Sequence, residues 1–117
     1  MAYVDGFVLA VPKKNKSAYL KMAKGGAKLW KKHGALEYRE CWGDDVETSF
    51  GISFQKLMKL KKGETAVFSW VVFRSRAHRD QVNKKLMSDP EMNNMPKKMP
   101  FDLKRMAYGG FTSIVDA

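Results

Sequence analysis

Residues 3–11, YVDGFVLAV, are apolar on both of their alternating sets: Tyr3, Phe7, Leu9 and Val11 on one side, Val4, Val8 and Ala10 on the other. Side chains of a strand point to opposite faces in turn, so this segment needs cover above and below. That requirement excludes a half-solvated sheet and a free-standing hairpin. Pro12 ends the run because it has no amide to donate to a ladder. Hydrophobic residues make up 44% of the 117-residue chain, which suits a globular core and one domain spanning 1–117.

The period then changes. From Asn15 to His33, Tyr19, Ala23, Gly26, Ala27 and Trp30 recur at helical spacing with lysines opposite them, which predicts an amphipathic helix. Asn15 or Ser17 is expected to cap its start and Gly34 to end it in the left-handed conformation. Ala35–Gly43 alternates again, with Leu36, Tyr38, Glu40 and Trp42 on one face. Residues 54–61 and 65–73 read as a hairpin about Lys62-Gly63. Ser75 opens a second helix to about Met87, with His78, Val82 and Leu86 on its inner stripe. Residues 104–115 read as a last strand, whose Gly109-Gly110 pair suggests a bulge or the close approach of another backbone.

Strand, helix, strand, a hairpin of two strands, helix, strand is the split βαβ order of a ferredoxin-like α+β fold with an extra hairpin arm: an antiparallel sheet with its two main helices on one face. The other apolar face then needs a different cover. A second copy of the same sheet is the simplest, which predicts a homodimer pairing as a dimeric α/β barrel. Asp5 and Gly6 interrupt the N-terminal apolar run, and no stretch approaches the ~20 residues of a membrane span. With a lone cysteine, Cys41, the expected location is cytoplasmic, without membrane association.

The words YVDGFVLAVP, HGALEYRECWGDDV, FSWVVFRSR, KLMSDP and MPFDLKRMAYGGF occur in that order. Together they closely resemble the YbaA-like family of bacterial domains of unknown function, grouped with the dimeric α/β barrels. The resemblance implies a ferredoxin-like protomer whose sheet pairs with a partner sheet, and it implies no reaction. The chain departs from the family at Glu47-Thr48-Ser49, where members often carry a Pro-Asp-Gly type turn, and at Leu103, where they carry Gly. Wider relatives of that architecture include cofactor-free monooxygenases, but none of their motifs can be laid on this chain.

Polar residues on apolar strand faces are the sharpest local signal, because an unpaired buried charge is costly. Asp5 shares a face with Tyr3 and Phe7, Glu40 shares one with Tyr38 and Trp42, and Arg105 lies on the segment read as the last strand. With Trp70 and Tyr108 they make a candidate ligand pocket; the plainer alternative is a buried or interfacial ion pair. Trp30, Trp42, Trp70, Tyr108 and the methionines can line a cavity between helix and sheet, or simply fill a core. His33, Glu37 and Cys41 have metal-like spacing only if one helix runs through Gly34, so no metal site is expected. His78 reads as a packed histidine. No nucleophile motif, phosphate loop or dinucleotide fingerprint occurs, and no cofactor is expected.

Charge supplies the competing hypothesis. Lysines and arginines number 22 against 12 acidic residues, and between Lys13 and Leu36 there is no acid at all. Lys21, Lys24, Lys28, Lys31 and Lys32 form a single-signed helix face able to track phosphates. The expected functions are therefore small-molecule binding between helices and sheet, with cofactor-free oxygenase-like chemistry as its extension, or sequence-tolerant RNA binding through the lysines.

Overall fold

The computed structural model describes residues 2–117. Strand β1 runs Tyr3–Pro12, helix α1 Lys16–Lys32 and strand β2 Glu37–Trp42. A short helix α2, Phe54–Leu57, precedes strand β3, Glu64–Phe73. Helix α3, Arg76–Met87, and strand β4, Ala107–Thr112, complete the order. The strands form one four-stranded antiparallel sheet in the order β2-β3-β1-β4. β1 and β2 are thus separated by β3, the split crossover expected from the sequence.

Register fixes which residues share a face. Tyr3, Asp5, Phe7, Leu9 and Val11 stand on the side covered by α1 and α3, beside Phe73, Val71, Ser69, Val67 and Thr65 of β3. Two core clusters form there. One gathers Tyr3, Ala35, Val71, Phe73 and Val82; the other gathers Leu9, Val11, Tyr19, Ala23 and Val67; Phe7 packs against both. Truncating a buried member such as Leu9 to Ala would cost about 2–5 kcal/mol.

Helix ends follow local chemistry. Gly34 stops α1 at φ +112°, a value other residues adopt only with strain. The Ser75 side chain accepts from the His78 amide and caps α3. Asn15 occupies the cap position of α1, but its side-chain amide donates to the Pro100 carbonyl, 3.2 Å away, and caps nothing. His78 is buried, edge-on to Phe73, and its Nδ1 accepts from the Arg74 amide.

Three expectations need correction. Residues 54–61 are not a strand: Ser53 caps α2, and Phe54, Leu57 and Met58 follow helical spacing, seating Met58 on Ala10 and Ala66 of the opposite sheet face. The last strand begins at Ala107, because Asp102 caps a 3-10 turn over Leu103–Arg105 that holds Arg105 outside the sheet. The Gly109-Gly110 pair stays in unbroken register with β1, and what lies close over Gly110 is the Tyr3 ring rather than another backbone.

Beyond Met58 the second sheet face is open. Val4, Val8, Phe68, Trp70, Val72, Ala107 and Phe111 line a hollow of about 570 Å³ on it. Among the described residues no helix is long and apolar enough to cross a membrane.

Candidate functional site

Between α1 and the sheet lies a cavity of about 150 Å³ where the two core clusters fail to meet. Its floor is one row of the sheet: Glu40 pairs with Ser69, and Ser69 pairs with Phe7. Tyr19, Ala23, Gly26 and Trp30 of α1 line its wall, and Met95, Met99 and Phe101 from the segment after α3 help close it. The Gly25-Gly26 pair, unfavourable inside a helix by roughly 1 kcal/mol per Gly relative to Ala, has a steric reason at Gly26. A Cβ there would stand 3.3 Å from both the Trp30 ring and the Tyr38 hydroxyl.

Glu40 is the chemical centre of this cavity. Its Oε1 accepts from the Tyr19 hydroxyl at 2.7 Å, and its Oε2 accepts from the Tyr38 hydroxyl. Burial, reinforced by the adjacent Glu40 charge, pushes both phenols well above their ordinary pKa, so both remain donors. Among the described residues no ion pair forms at Glu40. A carboxylate offers about four acceptor positions and two are taken, so the remainder can receive a donor from a guest. Trp30 is fixed by its indole N–H, which donates to Asn83 Oδ1 at 3.3 Å.

The other expected pocket residues go elsewhere. Asp5 shares the Glu40 face but lies two strands away and two residues along, about 12 Å by strand spacing and rise. Its partner is Arg79, whose Nη1 is 3.2 Å from Asp5 Oδ1 and 2.8 Å from the Tyr108 hydroxyl. The guanidinium also lies over the Tyr3 ring, 5.0 Å from its centre. Arg79 Nε is 2.9 Å from Asp80 Oδ1 but is not aligned to donate to it. Burial raises the Asp5 carboxyl pKa, and Arg79 pulls against that rise. Tyr108 stacks on Phe7 at 4.9 Å.

Arg105 reaches neither carboxylate. It grips Glu64 through Nη1 and Nη2 and Asp102 through Nε, fastening the turn before β4 to the start of β3. Trp70 lies on the open face, where its indole donates to Glu37 at 2.6 Å. The expected cluster of Asp5, Glu40, Arg105, Trp70 and Tyr108 is therefore divided: Asp5 and Tyr108 meet at Arg79, Glu40 stands in the cavity, and the other two lie outside both.

His33 Nε2 lies 2.7 Å from Asp89 Oδ2, which also accepts from Lys32 at 2.8 Å. Those contacts and the Glu91 amide hold the Asp89 carboxyl well below the usual range. Glu37 and Cys41 stand on the other sheet face. Lys31 donates to the Leu36 carbonyl, while Lys21, Lys24 and Lys28 are exposed. Sequence reasoning placed the methionines and Trp30 at such a cavity, and Met95 and Met99 in its lining bear that out; it missed the Tyr19 and Tyr38 hydroxyls, Ser69 and Phe101. The spacing of Tyr38 and Glu40, two apart on one strand face, was the visible signal.

The fold and its cavity define a ferredoxin-like α+β domain carrying a tyrosine-held carboxylate under its first helix. The chain belongs to the family described as "Protein of unknown function (DUF1428)", whose model matches residues 2–103. It is 49% identical over 116 residues to the uncharacterized protein YbaA of Escherichia coli strain K12, covering 99% of each chain. The same identity and coverage hold for the Shigella flexneri protein of that name. An uncharacterized NIPSNAP domain protein from Burkholderia xenovorans has a similar structure, with a TM-score of 0.66 at 18% identity over 98% of this chain and 97% of its own. The de novo designed protein Foldit4 aligns at a TM-score of 0.51 and 10% identity over 97% and 99%. A fold shared with a designed protein assigns no activity, so function must be argued from the site.

Proposed function

We propose that this protein binds a small, ring-sized molecule bearing a hydrogen-bond donor, with the ring in the cavity under α1 and the donor on Glu40. The observation that carries this is the cavity itself: about 150 Å³, walled by aromatic and methionine side chains, with one carboxylate at its floor. A cavity of that volume holds a molecule of benzene size. Calorimetric titration with 4-methylphenol and toluene tests it. 4-Methylphenol should bind at least tenfold more tightly than toluene, and Glu40→Gln should lose most of that margin, since a hydrogen bond to a charged acceptor is worth about 1.5–3 kcal/mol. Saturable binding of neither compound would end this reading.

Cofactor-free oxygenase-like turnover is the chemical extension, with Glu40 receiving the hydroxyl proton of a bound phenol. Oxygen uptake with hydroquinone that disappears in Glu40→Gln supports it; no uptake leaves binding as the function.

We also propose that a second copy covers the open sheet face, giving the homodimeric barrel. That face carries no charged side chain from Ala66 to Val72, Phe68 and Phe111 are 46% and 61% exposed, and a two-fold partner offers the same apolar pleats. On the edge strand, Glu37 and Arg39 are of opposite sign and suit a symmetric mate. Light scattering should give twice the chain mass, falling to the monomer in Val8→Glu; a monomeric wild type overturns this.

Exposure of Lys21, Lys24 and Lys28 favours a second reading, sequence-tolerant nucleic-acid binding. It requires affinity for mixed-sequence RNA that falls steeply with salt. Flat or absent binding near physiological salt removes it.

A further inference from the structure

A second hollow, of about 520 Å³, lies along α1 on the side turned toward residues 91–100. Met22 and Met95 line both this hollow and the inner cavity, so flexible thioether side chains stand between the two. Gly25 keeps the helix side of the hollow low: a Cβ there would meet the Met95 sulfur at 3.9 Å. Lys21, Lys28 and Lys98 stand around it, with Glu91 its one carboxylate. None of these three lysines enters an ion pair among the described residues. The two hollows are thus chemically opposite, the inner one presenting an acceptor and the outer one an excess of ammonium groups.

We propose that the ligand is two-ended: a ring with a hydrogen-bond donor held in the inner cavity, and a carboxylate or comparable small anion held in the outer hollow by Lys21, Lys28 and Lys98. This rests on the binding reading above and names the ligand class for that site. The methionine wall fits such a molecule because unbranched side chains can move aside for a linker. Lysines rather than arginines surround the outer end, so the anion is held by point charges and not by a bidentate fork. Its contribution is therefore sensitive to salt.

Titrations at low ionic strength with 4-methylphenol, 3-(4-hydroxyphenyl)propanoate and the methyl ester of that acid test the proposal. The acid should bind about tenfold more tightly than its ester, the sum expected of a few exposed charge contacts. That advantage should vanish in the Lys21→Gln/Lys28→Gln/Lys98→Gln triple variant and in 0.5 M salt (about a 4 Å screening length), with 4-methylphenol affinity unchanged. Lys24→Gln, which alters a lysine outside the hollow, should keep the advantage. An acid that binds no better than its ester, or an advantage that survives the triple variant, overturns the two-ended ligand while 4-methylphenol binding stands. Loss of 4-methylphenol binding in the wild type overturns both readings together.

Discussion

Asp5 and Glu40 are carboxylates on the same face of the same sheet, and the fold treats them in opposite ways. Above Asp5, α3 lowers Arg79, which joins the carboxylate to the Tyr3 and Tyr108 hydroxyls. Above Glu40, α1 presents Tyr19, Ala23, Gly26 and Trp30, and no cation descends. One acid is clamped by a guanidinium and closed in; the other stands at the floor of a cavity with two phenol hydroxyls as its partners. The difference lies in what the two helices present, since a buried carboxylate with a cation is a structural clamp and a half-buried one without a cation is an open recognition group.

Arg79→Met should give the largest effect. It leaves Asp5 buried without its cation, and urea denaturation at pH 7 should register a loss of about 3–5 kcal/mol. Glu40→Gln, which breaks no ion pair and keeps one acceptor oxygen for a phenol, should cost less, about 1.5–3 kcal/mol. Equal losses for the two variants would erase the contrast between the sites. Gly26→Val comes next: overpacking against Trp30 and Tyr38 should cost about 1–3 kcal/mol and abolish 4-methylphenol binding while leaving the Asp5 clamp intact. A Gly26→Val protein that still binds 4-methylphenol would move the guest out of this cavity.

The strand and helix order was legible because the period of two and the period of 3.6 separate cleanly along the chain, and Gly34 marks its boundary. Asp5 and Glu40 stood out for the same reason, being charges in otherwise apolar alternation. Their partners were harder to see. Arg79 carries a charge and so reads as a surface residue, although its spacing to Val82 and Leu86, three and seven positions on, puts it at the margin of the inward stripe. Trp70 could have been excluded by register, since it pairs with Gly6 and so faces away from Asp5. Residues 54–61 failed because a short apolar run satisfies either period, and only the Ser53 cap decides for helix. The place of the cavity, between helix and sheet with Trp30 and methionines in its wall, was legible, but its volume was not: that depends on where residues 95–101 fold back, and nothing local to that segment fixes its path.

The smallest effect tests the clamp by its sign. Burial outweighs Arg79 and raises the Asp5 pKa above its ordinary 3.8, so the folded protein holds this proton more tightly than the unfolded chain. Whatever stability Asp5 adds is then fully present below pH 3.8 and declines as pH rises through the higher folded value. Glu64, Asp89 and Asp102 are displaced the other way by their cationic partners and lose stability as pH falls, so the whole protein still weakens in acid. Comparing wild type with Asp5→Asn cancels those groups, because both proteins share them. The wild type's advantage over Asp5→Asn, from urea denaturation at pH 3.5 and 7 (the acid arm lying below the carboxylate's unfolded pKa of about 3.9), should be larger at the acid value. An advantage that grows toward neutral pH would mean that Arg79 outweighs burial, making Asp5 a carboxylate stabilised by its charge, and the contrast with Glu40 would then rest on geometry alone.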